Sequence, residues 1–106
     1  MTEIKYFQRE NRYGLSFKGH ADYAPLGQDI VCASVSSLIY ALGNYILEHF
    51  EDKKWIVLEV SFQPGDANIE ILDESNTTEA ASLYQMVFEQ LTDIAEGYPL
   101  NVKIVS

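Results

Sequence analysis

The chain has a single cysteine among 106 residues, Cys32, so it has no partner for an internal disulfide. That excludes a small disulfide-stapled secreted scaffold, fits a reducing compartment and leaves a free thiol to account for. Basic residues are scarce as well: 7 Lys and Arg stand against 16 Asp and Glu, a net charge of -9. Binding to phosphates needs clustered Lys and Arg, so neither direct nucleic-acid binding nor adhesion to an anionic membrane is expected. The charge would attract a basic protein or peptide, and it also serves plain solubility. Histidine occurs twice, at His20 and His49. One cysteine and two distant histidines make no recognisable ligand set, so no metal and no cofactor is expected.

A long uninterrupted apolar run is also missing. Ile30 to Leu47 carries no charge, but Ser34, Ser36, Ser37 and Asn44 interrupt it. A buried or interface helix is therefore expected in place of a membrane span. The opening Met1-Thr2-Glu3-Ile4-Lys5-Tyr6 lacks the basic and apolar regions of a secretory signal, and none is expected. What is present suits a globular protein: 47% hydrophobic and 22% charged residues. A chain of this length buries about two thirds of its unfolded surface, and one domain over residues 1–106 is expected.

Ile4 and Tyr6, then Tyr13, Leu15 and Phe17, alternate as two strands of a hairpin. Residues 19–28, with Gly19, Pro25 and Gly27, read as a loop. Asp29 is a good N-cap for a helix to about Phe50. Val31, Val35, Leu38, Leu42 and Ile46 form its apolar stripe. Cys32, Ser36, Ile39 and Gly43 form a second, smaller one that would let another backbone or a substrate approach. In the strand from Trp55 to Gln63, Ile56, Leu58, Val60 and Phe62 are expected to share one face. Pro64-Gly65-Asp66 is a turn into a strand carrying Ala67, Ile69 and Ile71. Asn76 and Glu79 resemble a capping box for a helix from about Thr78 to Glu96, with Ala80, Leu83, Val87, Leu91 and Ile94 inward. Leu100, Val102 and Ile104 form a last strand. The expected fold is α/β of the α+β type: a mostly antiparallel mixed sheet with two helices packed on it, in the order β-β-α-β-β-α-β.

The stretch from Gly19 to Cys32 carries the chemistry. A cysteine attacks as its thiolate, and a helix start or a neighbouring imidazolium favours that form. His20 lies twelve positions before Cys32, within a loop that can fold back to the helix start, with Gly19 and Gly27 allowing the turns. Asp29 is expected to satisfy backbone N–H groups, to face His20 and fix its tautomer, or to do both. Ser36 sits one helical turn beyond Cys32, where it would bind substrate or hold a water. N–H groups at the helix start are expected to receive an oxyanion. Tyr23 reads as a loop anchor before a substrate contact, and with Leu26 it is a candidate for accepting apolar substrate residues. His49 is expected to be structural, near the negative end of the first helix. On these residues alone a packed, inert cysteine competes with a nucleophile.

The longer pattern Gly19-His20-Ala21-x-Tyr23-x-x-x-Gly27-x-Asp29-Ile30-Val31-Cys32-Ala33-x-Val35-Ser36 resembles the signature of the ribosomal-processing cysteine proteases, the Prp family. The resemblance implies a cytoplasmic bacterial endopeptidase that removes an N-terminal extension from a large-subunit ribosomal protein, the twenty-seventh, cutting after two phenylalanines and before an alanine. It maps the catalytic cysteine to Cys32 and the catalytic histidine to His20, with Asp29 and Ser36 as supporting positions. It further implies a homodimer and a mobile histidine loop, and the acidic charge adds the expectation that the ribosomal substrate is basic. The competing readings are a non-catalytic ribosome-associated binding module and a redox-sensing thiol protein.

Overall fold

A computed structural model describes residues 1–25 and 27–105. Its elements run β1 (Thr2–Arg9), β2 (Arg12–Lys18), α1 (Ile30–Lys53), β3 (Trp55–Gln63), β4 (Asp66–Asp73), α2 (Glu79–Gly97) and β5 (Val102–Val105). This is the expected order. The five strands form one sheet, β3-β4-β2-β1-β5, antiparallel throughout except for the parallel β1–β5 pair.

Strand alternation divides the sheet into two faces. Ile4, Leu15, Ile69, Ile71 and Val102 point to the helices and are almost fully buried. The helices answer with Val31, Val35, Ile39, Leu42 and Ile46 from α1 and with Ala80, Tyr84, Val87 and Leu91 from α2. Truncating one of the large residues in this layer, such as Ile39 to Ala, would cost roughly 2–5 kcal/mol. By length and composition α1 would suffice to cross a membrane, but here it is the core helix of a two-layer α/β fold, with α2 beside it. The opposite sheet face is polar, with Lys5, Ser16, Asn68 and Glu70 on it.

Four expectations are corrected. In β3 the pairing with β4 slips between Val57 and Glu59, so Leu58 is an extra residue. A bulge reverses the faces beyond it. Trp55, Val57, Val60 and Phe62 therefore join or flank the core, whereas Ile56 and Leu58 are exposed. In α2 the N-cap is Thr78, with no side-chain capping bond, and Glu79 turns away to Lys53 and Tyr45. The Asn76–Glu79 capping box is not formed. Leu100 lies outside β5 and is exposed. At its Gly43 end the small-residue stripe of α1 receives a side chain in place of a backbone or substrate: a β-carbon on Gly43 would stand 2.4 Å from the Phe62 ring.

Candidate active site

The site is built where β2 ends and α1 begins. Gly19 has a φ of 93°, and a β-carbon there would lie 2.2 Å from the Met1 carbonyl oxygen. Only glycine passes so close to the start of β1 in that conformation. Its N–H donates to the Gly65 carbonyl in the β3–β4 turn, at 2.8 Å. The next carbonyls are matched in turn: Gly19 accepts from Thr2 Oγ1 (3.3 Å), His20 from the Met1 nitrogen (2.6 Å) and Ala21 from Asn101 Nδ2 (2.9 Å). Ala21 is completely buried. The backbone that carries His20 is thus tied to three other parts of the chain. The imidazole itself lies over Gly65: a β-carbon there would stand 2.7 Å from Nε2 and 2.9 Å from Cε1.

Asp29 organises the other end of the loop. Its Oδ1 accepts the Cys32 N–H at 2.8 Å, and its Oδ2 accepts those of Tyr23 (3.0 Å) and Ala24 (3.5 Å). One carboxylate therefore caps α1 and clasps the loop to it. Desolvation pushes the Asp29 carboxyl up, but hydrogen bonds from the Cys32, Tyr23, Ala24 and Val31 N–H groups prevail and hold it below the usual carboxylate value. All of these donors are backbone groups. Of the two roles open to Asp29, the structure realises the cap and loop clasp, with no hydrogen bond to His20 among the described residues.

Between the two ends lies a cleft of about 580 Å³, lined by His20, Asp22, Gln28, Asp29, Cys32 and Ser36 among others. Cys32 is half-buried on its wall. Ser36, one turn further along α1, leans back toward Cys32, as helix side chains do. The sequence motif is thereby gathered around one opening. The expected oxyanion site is narrowed, however. The Cys32 N–H is committed to Asp29 Oδ1, and the Ala33 N–H donates to the Asp29 carbonyl at 3.0 Å. The cap that orders the helix start thus occupies the Cys32 and Ala33 donors of the first turn. Ser36 and Gln28 bring side-chain donors to the same cleft.

Gly27 takes a φ of 87° and lines the cleft. The Tyr23 ring meets Tyr98 edge-on at 5.4 Å, while its N–H goes to Asp29. Leu26 lies outside the described residues. His49 stacks on Tyr45, with ring centroids 4.3 Å apart, and the basic residue in the last turn of α1 is Lys53. Sequence reasoning missed Asp22, Gln28 and Gly65. Gln28 stood inside the motif, and the composition of Pro64-Gly65-Asp66 marked a turn without saying what would pack on it.

Residues 1–103 match the family model for the cysteine protease Prp. A ribosomal processing cysteine protease Prp of Mycoplasma genitalium is 33% identical over 87 residues, covering 82% of this chain and 81% of that protein. The Prp of Staphylococcus aureus is 26% identical over 87 residues, 81% of this chain and 78% of that one. The fold is shared with the crystal structure of an S. aureus ribosomal processing protease Prp in complex with a covalently linked product peptide, at a TM-score of 0.80 and 24% identity over 98% of this chain and 97% of that one. A second S. aureus Prp structure, with a substrate peptide, aligns with a TM-score of 0.71 at 22% identity over 99% and 98%. A chain matched over nearly its whole length by this family model belongs to the Prp family of ribosomal processing cysteine proteases.

Proposed function

We propose that this chain is the endopeptidase that removes the N-terminal extension of the twenty-seventh large-subunit ribosomal protein, with Cys32 as nucleophile and His20 as general base and acid. The observation that carries the reading is the convergence of His20, Asp29, Cys32 and Ser36 on one cleft in a chain of this family. His20 takes the Cys32 proton, and the thiolate attacks the scissile carbonyl. The Ser36 hydroxyl donates to the developing oxyanion, assisted by the Gln28 amide, because Asp29 holds the Cys32 and Ala33 N–H groups at the helix start. His20 then protonates the leaving amine, and water releases the acyl-enzyme. Asp29 acts by fixing both the helix start and the loop.

The net charge of -9 favours a basic ribosomal protein as substrate and disfavours nucleic acid or membrane as direct partner. The enzyme works as a single domain, residues 1–106, in the cytoplasm, where a free thiol stays reduced. It forms a homodimer, a reading supported by the charge-free stretch of α1 from Ile30 to Leu47, where Ile30, Tyr40 and Leu47 are exposed. Sedimentation as a monomer at micromolar concentration would remove that part of the proposal. The activity is tested with a peptide carrying the Phe-Phe-Ala junction, alongside Cys32→Ala and His20→Ala variants. The unmodified protein cleaves after the second phenylalanine, and each variant loses at least about a thousandfold in rate. Cleavage that persists in Cys32→Ala rejects the mechanism, and an intact peptide with the unmodified protein rejects the substrate.

A further inference from the structure

The backbone bonds around Gly19, His20 and Ala21 fix where the histidine leaves the chain. They do not fix the ring, which still has two torsions free to turn. The ring's position is defined by the β3–β4 turn. Pro64 and Gly65 form a two-residue connection between the paired residues Gln63 and Asp66, with Gly65 at a φ of 71°. Proline followed by a positive-φ glycine is the residue pattern of a type II turn. Its bare Cα lets the imidazole lie flat against the backbone: a β-carbon would come within 2.7 Å of Nε2, 2.9 Å of Cε1 and 3.3 Å of Cδ2. The same residue accepts the Gly19 N–H through its carbonyl, at 2.8 Å. One residue of the turn thus holds the loop backbone on one side and the ring on another.

We propose that Gly65 is a positioning residue of the protease, a seat that holds the His20 imidazole on the wall of the cleft that Cys32 also lines. The inference rests on the reading of His20 as the base. A ring that must meet a thiol and later a leaving amine has to keep its place through both proton transfers. A seat without a side chain supplies that constraint without filling the cleft. Any β-carbon at residue 65 pushes the ring away from its place, even where the backbone tolerates the change.

Gly65→Asn tests this, because asparagine is the side-chain residue that type II turns admit at this position, so the strain of a positive φ is small. The rate of Cys32 alkylation by iodoacetamide at pH 6.5 and the cleavage of the Phe-Phe-Ala peptide are measured for Gly65→Asn, His20→Ala and the double variant. Gly65→Asn loses roughly a hundredfold in kcat/KM, mostly in kcat, as expected for a reacting group displaced by about an ångström, while its melting temperature stays close to that of the unmodified protein. In the His20→Ala background the same substitution changes the alkylation rate by no more than about twofold, because it acts through the ring. Equal proportional losses with and without His20, or near-normal activity in Gly65→Asn, overturn the inference. If His20→Ala leaves activity intact, the reading of His20 fails. If His20→Ala is inactive while Gly65→Asn is not, only the seat fails. The contact is also measurable without any substitution, as a nuclear Overhauser effect between the Gly65 α-protons and the His20 ring protons of the unmodified protein. Its absence rejects the seat whatever the stability of the variants.

Discussion

The two helices of this protein begin in opposite ways. At the start of α1 one carboxylate, Asp29, gathers the N–H groups of Tyr23, Ala24 and Cys32. At the start of α2 the N-cap Thr78 has a ψ of 9°, far from the extended conformation from which a cap side chain reaches forward, and its hydroxyl caps nothing. The adjacent Glu79 would suit the positive end of the helix dipole, but its carboxylate is engaged by Lys53 at 3.0 Å and by the Tyr45 hydroxyl at 3.0 Å, where α1 ends. Packing of Ala80, Tyr84 and Val87 holds the start of α2 in place without a cap. The start of α1 lies at the mouth of a cleft, where packing is incomplete, and there a charged cap supplies the order. The consequence is chemical. A helix start with unpaired N–H groups can receive an oxyanion, and each N–H group held by Asp29 is one fewer for that task.

The sharpest way to break the comparison is at Ser36. With the Cys32 and Ala33 donors occupied, Ser36→Ala removes the hydroxyl assigned to the oxyanion, and kcat falls by roughly 10²–10³ with little change in KM, in line with losses of single oxyanion donors. Thermal unfolding stays near that of the unmodified protein. If Ser36→Ala keeps full kcat, the N–H groups of α1 are more available than the Asp29 geometry allows, and the contrast between the helix starts has no catalytic meaning.

Asp29→Ala comes next. It removes the cap and the loop clasp together, costs about 1–2 kcal/mol in denaturant unfolding, at the upper end for N-caps, and slows cleavage by loosening both ends of the site. A pH series checks the sign. The Asp29 carboxyl is depressed in the folded state, so its contribution is complete above the unfolded value of about 3.9 and is lost as pH falls below that value and through the folded one. The stability difference between the unmodified protein and Asp29→Ala therefore shrinks below about pH 4. A difference that stays constant down to pH 2 would mean that the charge of Asp29 contributes nothing at the helix start.

Residues related by local periodicity were legible in the sequence, and residues brought together by long-range packing were not. Asp29, Cys32 and Ser36 lie at fixed offsets on one helix, so a cap and a two-residue face could be read directly. The loop motif identified His20, but its backbone partners come from Met1, Asn101 and Gly65, and its ring rests on a turn 45 residues away. No local pattern encodes those contacts. In β3 the apolar alternation was real, but the bulge at Leu58 has no residue signature and exchanged the faces on one side of it. Tyr84 was not among the residues expected to face inward. It is fully buried because its hydroxyl donates to the Ile69 carbonyl at 3.0 Å, and that burial raises its pKa. The oxyanion expectation was narrowed for a related reason: spacing identifies a cap without showing how many donors it will take.

The smallest expected effect lies at the start of α2. A Thr in a well-formed N-cap contributes about 1 kcal/mol, most of it through the side-chain bond to an unpaired N–H group. Thr78 makes no such bond, and the Ser82 N–H is satisfied by the Thr78 backbone carbonyl at 2.9 Å, which alanine also provides. Thr78→Ala should therefore change unfolding free energy by no more than about 0.5 kcal/mol, the range of ordinary surface substitutions, and leave cleavage untouched. Set beside Asp29→Ala in the same denaturant experiment, it measures the contrast directly: two N-cap residues, one substitution, and costs that differ by the side-chain bonds alone. A loss at Thr78 equal to that at Asp29 would mean that α2 is capped in solution in a way this geometry lacks, and that the difference between the two helix starts is one of packing and not of capping.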